Sequence, residues 1–153
     1  MGREVYCEIR RKQTDDVMWN SADALDLYVC GRDPVTNFLL CQADNDQSSI
    51  DVSSKEEFNR IMSEVREHEK EDLEEAEKAK QTLRDLKTAR RNARNCEEFS
   101  SFSDFIESTE QWISDYGNSR ASSIAKMMDA SLAEYKRHPI KYRNCGLYVV
   151  VSD

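Results

Sequence analysis

The sequence is poor in the residues that break regular structure and in those that build reactive sites. It contains four glycines, two prolines and two histidines among 153 residues. So few glycines supply little backbone for cradling a phosphate group, and no GxSxG, HExxH or dinucleotide-binding glycine pattern occurs. His68 lies in a charged run and His138 precedes Pro139, and neither has a cysteine nearby in sequence. We therefore expect no metal, no cofactor and no catalytic residues, which favours a non-enzymatic protein.

Long apolar runs and surplus positive charge are also missing. No run approaches the ~18 apolar residues of a membrane-spanning helix, and the opening MGREVYCEIRRK lacks the apolar core of a signal peptide. Lys and Arg number 22 against 30 Asp and Glu, so the net charge is -8. General binding to nucleic acid or to anionic lipid needs an excess of basic residues. The composition therefore favours a cytoplasmic protein that binds neither nucleic acid nor membrane.

The five cysteines are odd in number, and no two are spaced as CxxC. This pattern favours reduced thiols over a disulfide framework. Four of them lie in apolar segments that are predicted to be strands, and we expect them to be buried: Cys7, Cys30, Cys41 and Cys145. Cys96 lies in a polar stretch, so it is expected to be the thiol that reacts fastest.

Alternation of apolar and polar residues predicts strands at both ends of the chain. The pattern is clear in VYCEIR (5–10) and LDLYVC (25–30), while LYVVVSD (147–153) has strand composition. VTNFLLC (35–41) follows the turn GRDP, so it is predicted to form a β-hairpin with LDLYVC. DVMWN (16–20) is expected to be a short strand or a loop with Trp19 packed inward.

The middle of the chain has the period of a helix. Ser53 and Ser54 each precede a glutamate by three residues, which is the capping-box pattern of a helix start. From there to Asn95 the chain has neither Gly nor Pro, so the charge run EHEKEDLEEAEKAK (67–80) is predicted to be the wet face of a helix of about 40 residues. A second apolar-periodic segment runs from 102 to 116, is interrupted at Gly117, and continues from 119 to 135.

Charge order predicts how these helices pair. The first helix is acidic early and basic late, whereas the returning segment is acidic from 97 to 116 and basic from 120 to 143. Antiparallel pairing therefore sets acids against bases, although each exposed pair contributes only a few tenths of a kcal/mol. The predicted fold is α+β: a single domain (1–153) in which 1–52 and 140–153 form a small antiparallel sheet and 53–138 form an inserted antiparallel helical hairpin.

The candidate partner-binding residues lie near the predicted tip of that hairpin. They are Arg90, Arg91, Arg94, Phe99 and Phe102, and arginine and aromatic side chains are enriched at binding hot spots. The other aromatic residues of the returning segment, Phe105, Trp112 and Tyr116, are expected in the core. The leading hypothesis is a protein-interaction module or inhibitor, such as a virus-encoded blocker of a host defence enzyme, with a protein partner and a homo-oligomeric state.

A second hypothesis places a small ligand or nucleotide, bound or hydrolysed, on the sheet. Its candidate ligand-binding residues are the aromatics of the predicted strands, namely Tyr6, Trp19, Tyr28 and Tyr148. Mimicry of DNA by the acidic helix is disfavoured, because its net charge over 56–77 is about a third of that on duplex DNA of equal length.

Overall fold

The computed structural model describes residues 3–43, 48–93, 99–117 and 119–152, and the fold is α+β, as predicted. In chain order the elements are β1 (Glu4–Arg11), β2 (Val17–Asn20), α1 (Ser21–Leu25), β3 (Val29–Cys30), α2 (Pro34–Gln42), β4 (Ser49–Asp51), α3 (Lys55–Asn92), α4 (Phe99–Gly117), α5 (Arg120–Arg137) and β5 (Cys145–Ser152). The chain forms two compact units, the sheet unit (1–68 with 120–153) and the hairpin unit (69–119).

The centre of the sheet is the pair formed by the first and last strands. β1 and β5 are antiparallel neighbours from the pair Glu4–Ser152 to the pair Arg11–Cys145. The strand order is β2-β1-β5-β4, and β3 pairs with the beginning of β1. Every pairing is antiparallel. The prediction that the C-terminal strand completes a sheet of N-terminal strands is confirmed.

One face of this sheet carries the core. Alternate residues of β1 and β5 are buried on it, because paired strands point their side chains to opposite faces in turn. The residues that pack there come from both strands, α2, α5 and the first turns of α3: Val5, Cys7, Ile9, Leu147, Val149, Val151, Val35, Leu39, Ile124, Met128, Phe58, Ile61 and Val65. The first turns of α3 therefore belong to the core of the sheet unit.

A buried serine side chain supplies a hydrogen bond at a point along the edge of β1 where no described strand pairs with it. That edge is shared by β2 and β3, and the amide of Cys7 falls between the two pairings. Cys7 N–H donates instead to Ser21 Oγ at 2.9 Å, and this hydroxyl donates to the carbonyl of Leu27, also at 2.9 Å. Ser21 is fully buried. Since a buried backbone group without a partner destabilises a fold, the serine lets the short helix α1 interrupt the sheet.

The predicted β-hairpin of LDLYVC with VTNFLLC is wrong. Residues 34–42 form α2, and only Val29 and Cys30 of the first segment form a strand. Thr36 N–H donates to the Asp33 side chain at 3.0 Å, and Asp33 N–H donates to the Thr36 hydroxyl at 3.0 Å. Pro34 fits the first helical turn, where its missing N–H costs nothing. This reciprocal cap selects a helix over a strand.

The long helix is confirmed. α3 runs without a break over Lys55–Asn92, so the charge run 67–80 is helical. Ser54 Oγ accepts the amide hydrogen of Glu57 at 3.2 Å, which makes Ser54 the capping residue. Phe58 and Ile61 are buried beside Val65 in the first turns of this helix.

The expectation that four cysteines are buried is wrong for two of them. Cys7 and Cys145 are buried, whereas Cys30 and Cys41 are exposed. Cys30 ends a strand of two residues, and Cys41 belongs to a helix of which only one face is buried. Cys96 lies outside the described residues.

We predict that Ser21→Ala lowers the free energy of unfolding by about 2–4 kcal/mol, because it leaves the buried Cys7 amide and the partly buried Leu27 carbonyl without this partner. Ser131→Ala is the matched control. Ser131 is equally buried, but its hydroxyl donates to a carbonyl within its own helix, that of Met127, and its contact on the sheet is with the Cys7 thiol, a weak hydrogen-bonding group. We therefore expect a smaller loss, about 1 kcal/mol. Urea unfolding measures both, and equal losses would contradict the bridging role of Ser21.

We predict that a Cys96→Ser variant has two thiols that react rapidly with an aromatic disulfide reagent in the native state, those of Cys30 and Cys41. The other two should react only on unfolding, since burial raises the pKa of the Cys7 thiol to about 12 and the thiolate is the reactive form. Cys30→Ser and Cys41→Ser should each remove one fast equivalent. Four fast thiols would show that the core does not shield Cys7 and Cys145.

Candidate functional site

The hairpin unit consists of the C-terminal part of α3 and all of α4, and its two helices run antiparallel. Lys87 Nζ lies 3.6 Å from Glu110 Oε1. Ser119 Oγ, just beyond α4, donates to Asp72 Oδ2 at 2.6 Å. Contacts therefore pair the later part of one helix with the earlier part of the other. The predicted antiparallel hairpin is confirmed.

Few described side chains of the hairpin unit are fully buried. Ala76 and Ala79 of α3 and Ile106 of α4 are buried. Leu83, Leu86, Phe102 and Ile113 are only half-buried. Since alanine removes little apolar area from water, the hairpin unit has a thin core.

The two edges of this contact differ in character. At about 100° per residue, the Lys87 and Glu110 positions lie on one edge of the hairpin, and the Leu86 and Phe105 positions lie on the other. We call the first edge the charged side and the second the apolar side. The charged side comprises Lys80, Arg84, Lys87, Arg91, Glu107 and Glu110. The apolar side comprises Thr82, Leu86, Ala89, Phe105, Thr109 and Trp112.

Phe105 is the most exposed aromatic side chain of the hairpin unit among those described. It is 62% exposed, whereas its neighbour Ile106 is 5% exposed. The expectation that Phe105 belongs to the core is therefore wrong. The apolar residues of α4 are therefore not all covered by α3, and Phe105 lies at the edge that remains in water.

Polar groups on the apolar side are satisfied internally. Thr82 Oγ1 donates to the carbonyl of Lys78 at 3.1 Å, and Thr109 Oγ1 donates to the carbonyl of Phe105 at 2.8 Å. Each threonine can then present its methyl group without leaving a hydroxyl unpaired. Uncharged residues with paired hydroxyls next to an exposed phenylalanine form a surface that can lose water at low cost.

The predicted tip residues are only partly described. Arg90 and Phe102 are half-buried, and Arg91 is exposed. Arg94 lies outside the described residues, and of Phe99 only the backbone, at the start of α4, is described. The grouping of these five residues stays a prediction.

The aromatic residues proposed for the sheet do not come together as one site. Tyr6 and Tyr148 share the face opposite the core, where the Arg10 guanidinium lies 4.3 Å from the Tyr148 ring centroid and its Nε donates to Glu8 at 2.8 Å. Trp19 pairs with Ile9 and packs against the core, on the other face. Tyr28 precedes β3 and is 49% exposed.

Burial and nearby carboxylates raise the pKa of Tyr6, and burial followed by Asp51 raises that of Tyr148. Both phenols therefore stay neutral at physiological pH. The sheet face offers an aromatic pair around an arginine that is already bonded to Glu8. It does not present a charged group held ready for a ligand.

Leu73 is a second exposed apolar residue of the hairpin unit, at 55%. It lies under an open depression of about 470 Å³, and the described residues that line it with Leu73 are charged: Glu69, Lys70, Glu74, Glu77 and Lys78. A lone leucine among charges is ordinary for a solvated helix.

Comparison with protein-family models, with curated proteins and with solved structures finds no match to this chain. Within the described part of the chain, no three His, Cys, Asp or Glu side chains are grouped so that they could hold a metal ion. No described helix is both long enough and apolar enough to cross a membrane. The function therefore has to be inferred from the surface of this chain.

We predict that Phe105→Ser changes the free energy of unfolding by less than about 0.5 kcal/mol, as expected for an exposed position. Ile106→Ala is its neighbour and control, and should destabilise the hairpin unit by about 2–4 kcal/mol because it opens the thin core. Circular dichroism during urea unfolding measures both. If Phe105→Ser is as destabilising as Ile106→Ala, the assignment of the apolar side is wrong.

Proposed function

We propose that this protein is a non-enzymatic protein-interaction module that captures its partner through the helical hairpin unit. The observation that carries the proposal is the 62% exposure of Phe105 on a side of the hairpin whose described hydroxyls are already bonded. Fully burying an exposed phenylalanine contributes about 1.5–3 kcal/mol, and covering the exposed part of Phe105 contributes a corresponding fraction of that. A partner that covers this side gains that burial without stranding a threonine hydroxyl.

The composition of the hairpin unit supports the same proposal. Trp112 and Phe105 lie on one edge, and Arg84 and Arg91 lie on the other. Tryptophan and arginine are among the residue types that dominate measured binding energies at interfaces. A hairpin with these residues in reach of solvent has the chemistry of a recognition element.

The thin core supports it as well. Few of the described residues in the hairpin unit are buried, and two of them, Ala76 and Ala79, are small; Ile106 is another. Ordering the backbone of one residue costs roughly 1–2 kcal/mol, so helices with such a core add little to stability. Recognition gives a physical reason for a helical pair of this length. The predicted homo-oligomer and the inhibitory role stay predictions.

Binding of a small ligand on the sheet has weaker support. Tyr6 and Tyr148 share a face, but Trp19 lies on the other one and Arg10 is already bonded to Glu8. We therefore place function on the hairpin unit.

Selection from a display library of helical peptides of about 20 residues tests this function. We expect enriched peptides to lose more than tenfold in affinity, about 1.4 kcal/mol, when Phe105 is replaced with alanine in a variant that stays folded by circular dichroism. Tyr6→Ala with Tyr148→Ala is the matched control on the sheet and should leave the affinity unchanged.

Two results would contradict the proposal. The first is binding that depends on Tyr6 and Tyr148 and not on the hairpin unit. The second is a nucleotide or metabolite that raises the melting temperature of the wild type but not of the Tyr148→Ala variant. A ligand present at about 100 times its Kd should add about 2.7 kcal/mol, which a thermal-shift screen detects.

A further inference from the structure

We propose that the occupant of the apolar side is a basic amphipathic helix, which lies along the groove between α3 and α4. This inference rests on the proposed function and names the chemistry of the partner. It follows from three properties of the apolar side: its dimensions, its lack of unpaired polar groups, and the sign of the charges around it.

The dimensions fit one helix. The α3 residues of the apolar side run from Thr82 to Ala89 and the α4 residues from Phe105 to Trp112. Each stretch is about 10 Å long at 1.5 Å per residue, or two turns. Thr82 and Ala89 are small and allow the close approach of 8–10 Å typical of packed helices. Phe105 and Trp112 would fill the spaces between side chains of the incoming helix.

The hydroxyl bonding favours an apolar contact. Thr82 and Thr109 both donate to carbonyls of their own helices, so neither needs a partner hydroxyl or a water molecule. A helix that presents leucine or a similar side chain to these methyl groups leaves no donor unpaired.

The charges around the apolar side select a basic partner. Helix positions at its rim carry Asp85 on α3 and Asp104 on α4. Glu71 and Glu75 lie along the same side of α3, about three and two turns before Thr82, and Lys78 lies about one turn before it. Lys78 already pairs with Glu75 at 3.3 Å. The segment 99–117 contains no Lys or Arg at all.

A second copy of this chain would bring the same acidic rim against itself. Like charges placed across an interface oppose association, whereas lysine or arginine on the flanks of a docking helix would meet carboxylates on both sides. The charge pattern therefore favours a basic helix over a second copy.

A defined probe tests the inference. The probe is a synthetic peptide of about 18 residues, roughly 27 Å as a helix, with leucine on one face and lysine on the others. Its control has the same leucines and glutamate in place of lysine. Trp19→Phe leaves Trp112 as the single tryptophan of the protein, so its fluorescence reports binding at the apolar side.

We expect the lysine peptide to shift the Trp112 emission and to bind at least tenfold more tightly than the glutamate peptide. Affinity should fall as salt is raised from about 0.05 to about 0.5 M, because exposed charges are screened, and should not vanish, because the apolar contact remains. Phe105→Ser should weaken binding at least tenfold.

Leu73→Ser is the matched control. Like Phe105→Ser, it replaces an exposed apolar residue with serine, here on α3, and leaves the net charge unchanged. General attraction of the peptide to an acidic protein is therefore the same in Phe105→Ser and Leu73→Ser. We expect Leu73→Ser to bind the lysine peptide like the parent protein.

Three outcomes overturn the inference. An equal effect of the two serine variants, whether a loss or no change, means that the peptide does not select the apolar side. Equal binding of the two peptides means that the rim charges do not select the partner. A dimer in light scattering that Phe105→Ser abolishes means that a second copy is the occupant. If the lysine peptide fails while library peptides of other charge still bind the hairpin unit, this inference fails and the proposed function stands; if no helical peptide binds there, both fail.

Discussion

The pairing of β1 with β5 is the contact on which the rest of the structure depends. It joins the two ends of the chain over the full length of both strands, and alternate residues of each, such as Ile9 and Leu147, form the floor of the core. A slip of one residue would turn that apolar set to the opposite face. The bridge through Ser21 and the packing of α5 both presuppose this register.

The hairpin unit is built on a different principle. Few of its described side chains are fully buried, Ala76, Ala79 and Ile106 among them, and Phe105 of α4 lies largely in water. A better-filled contact would be more stable but would offer a partner less apolar surface. Because the core of the sheet supplies most of the stability, the hairpin unit can leave that apolar surface exposed.

Much of this fold could be predicted because its signals are local. Alternation marks β1, the strand composition of LYVVVSD marks β5, and the absence of Gly and Pro from Ser54 to Asn95 marks α3. α2 was missed because VTNFLLC is a short apolar run that fits either period. The signal that distinguishes a helix from a strand here is the capping pair Asp33 and Thr36 with Pro34 in the first turn. It was missed because GRDP is also a typical turn sequence.

The candidate site was harder to predict because it depends on contacts between elements. An apolar arc on α4 does not reveal which edge a neighbour covers, so the sequence alone could not predict that Ile106 is buried while Phe105 stays exposed. The face of a strand residue depends likewise on pairing. A register shift between Ile9 and Arg10 helps fix how β2 aligns, and Trp19, opposite Ile9, faces away from Tyr6.

The central claim is that the sheet carries the stability while the hairpin unit is held ready for recognition. Native-state hydrogen exchange at increasing urea tests it most directly, because it reports the opening free energy of each segment. The account predicts that amides of β1 and β5 exchange only through global unfolding, and that those of α4 exchange through openings of distinctly lower free energy. Equal opening free energies for α4 and the β1–β5 pair would contradict it.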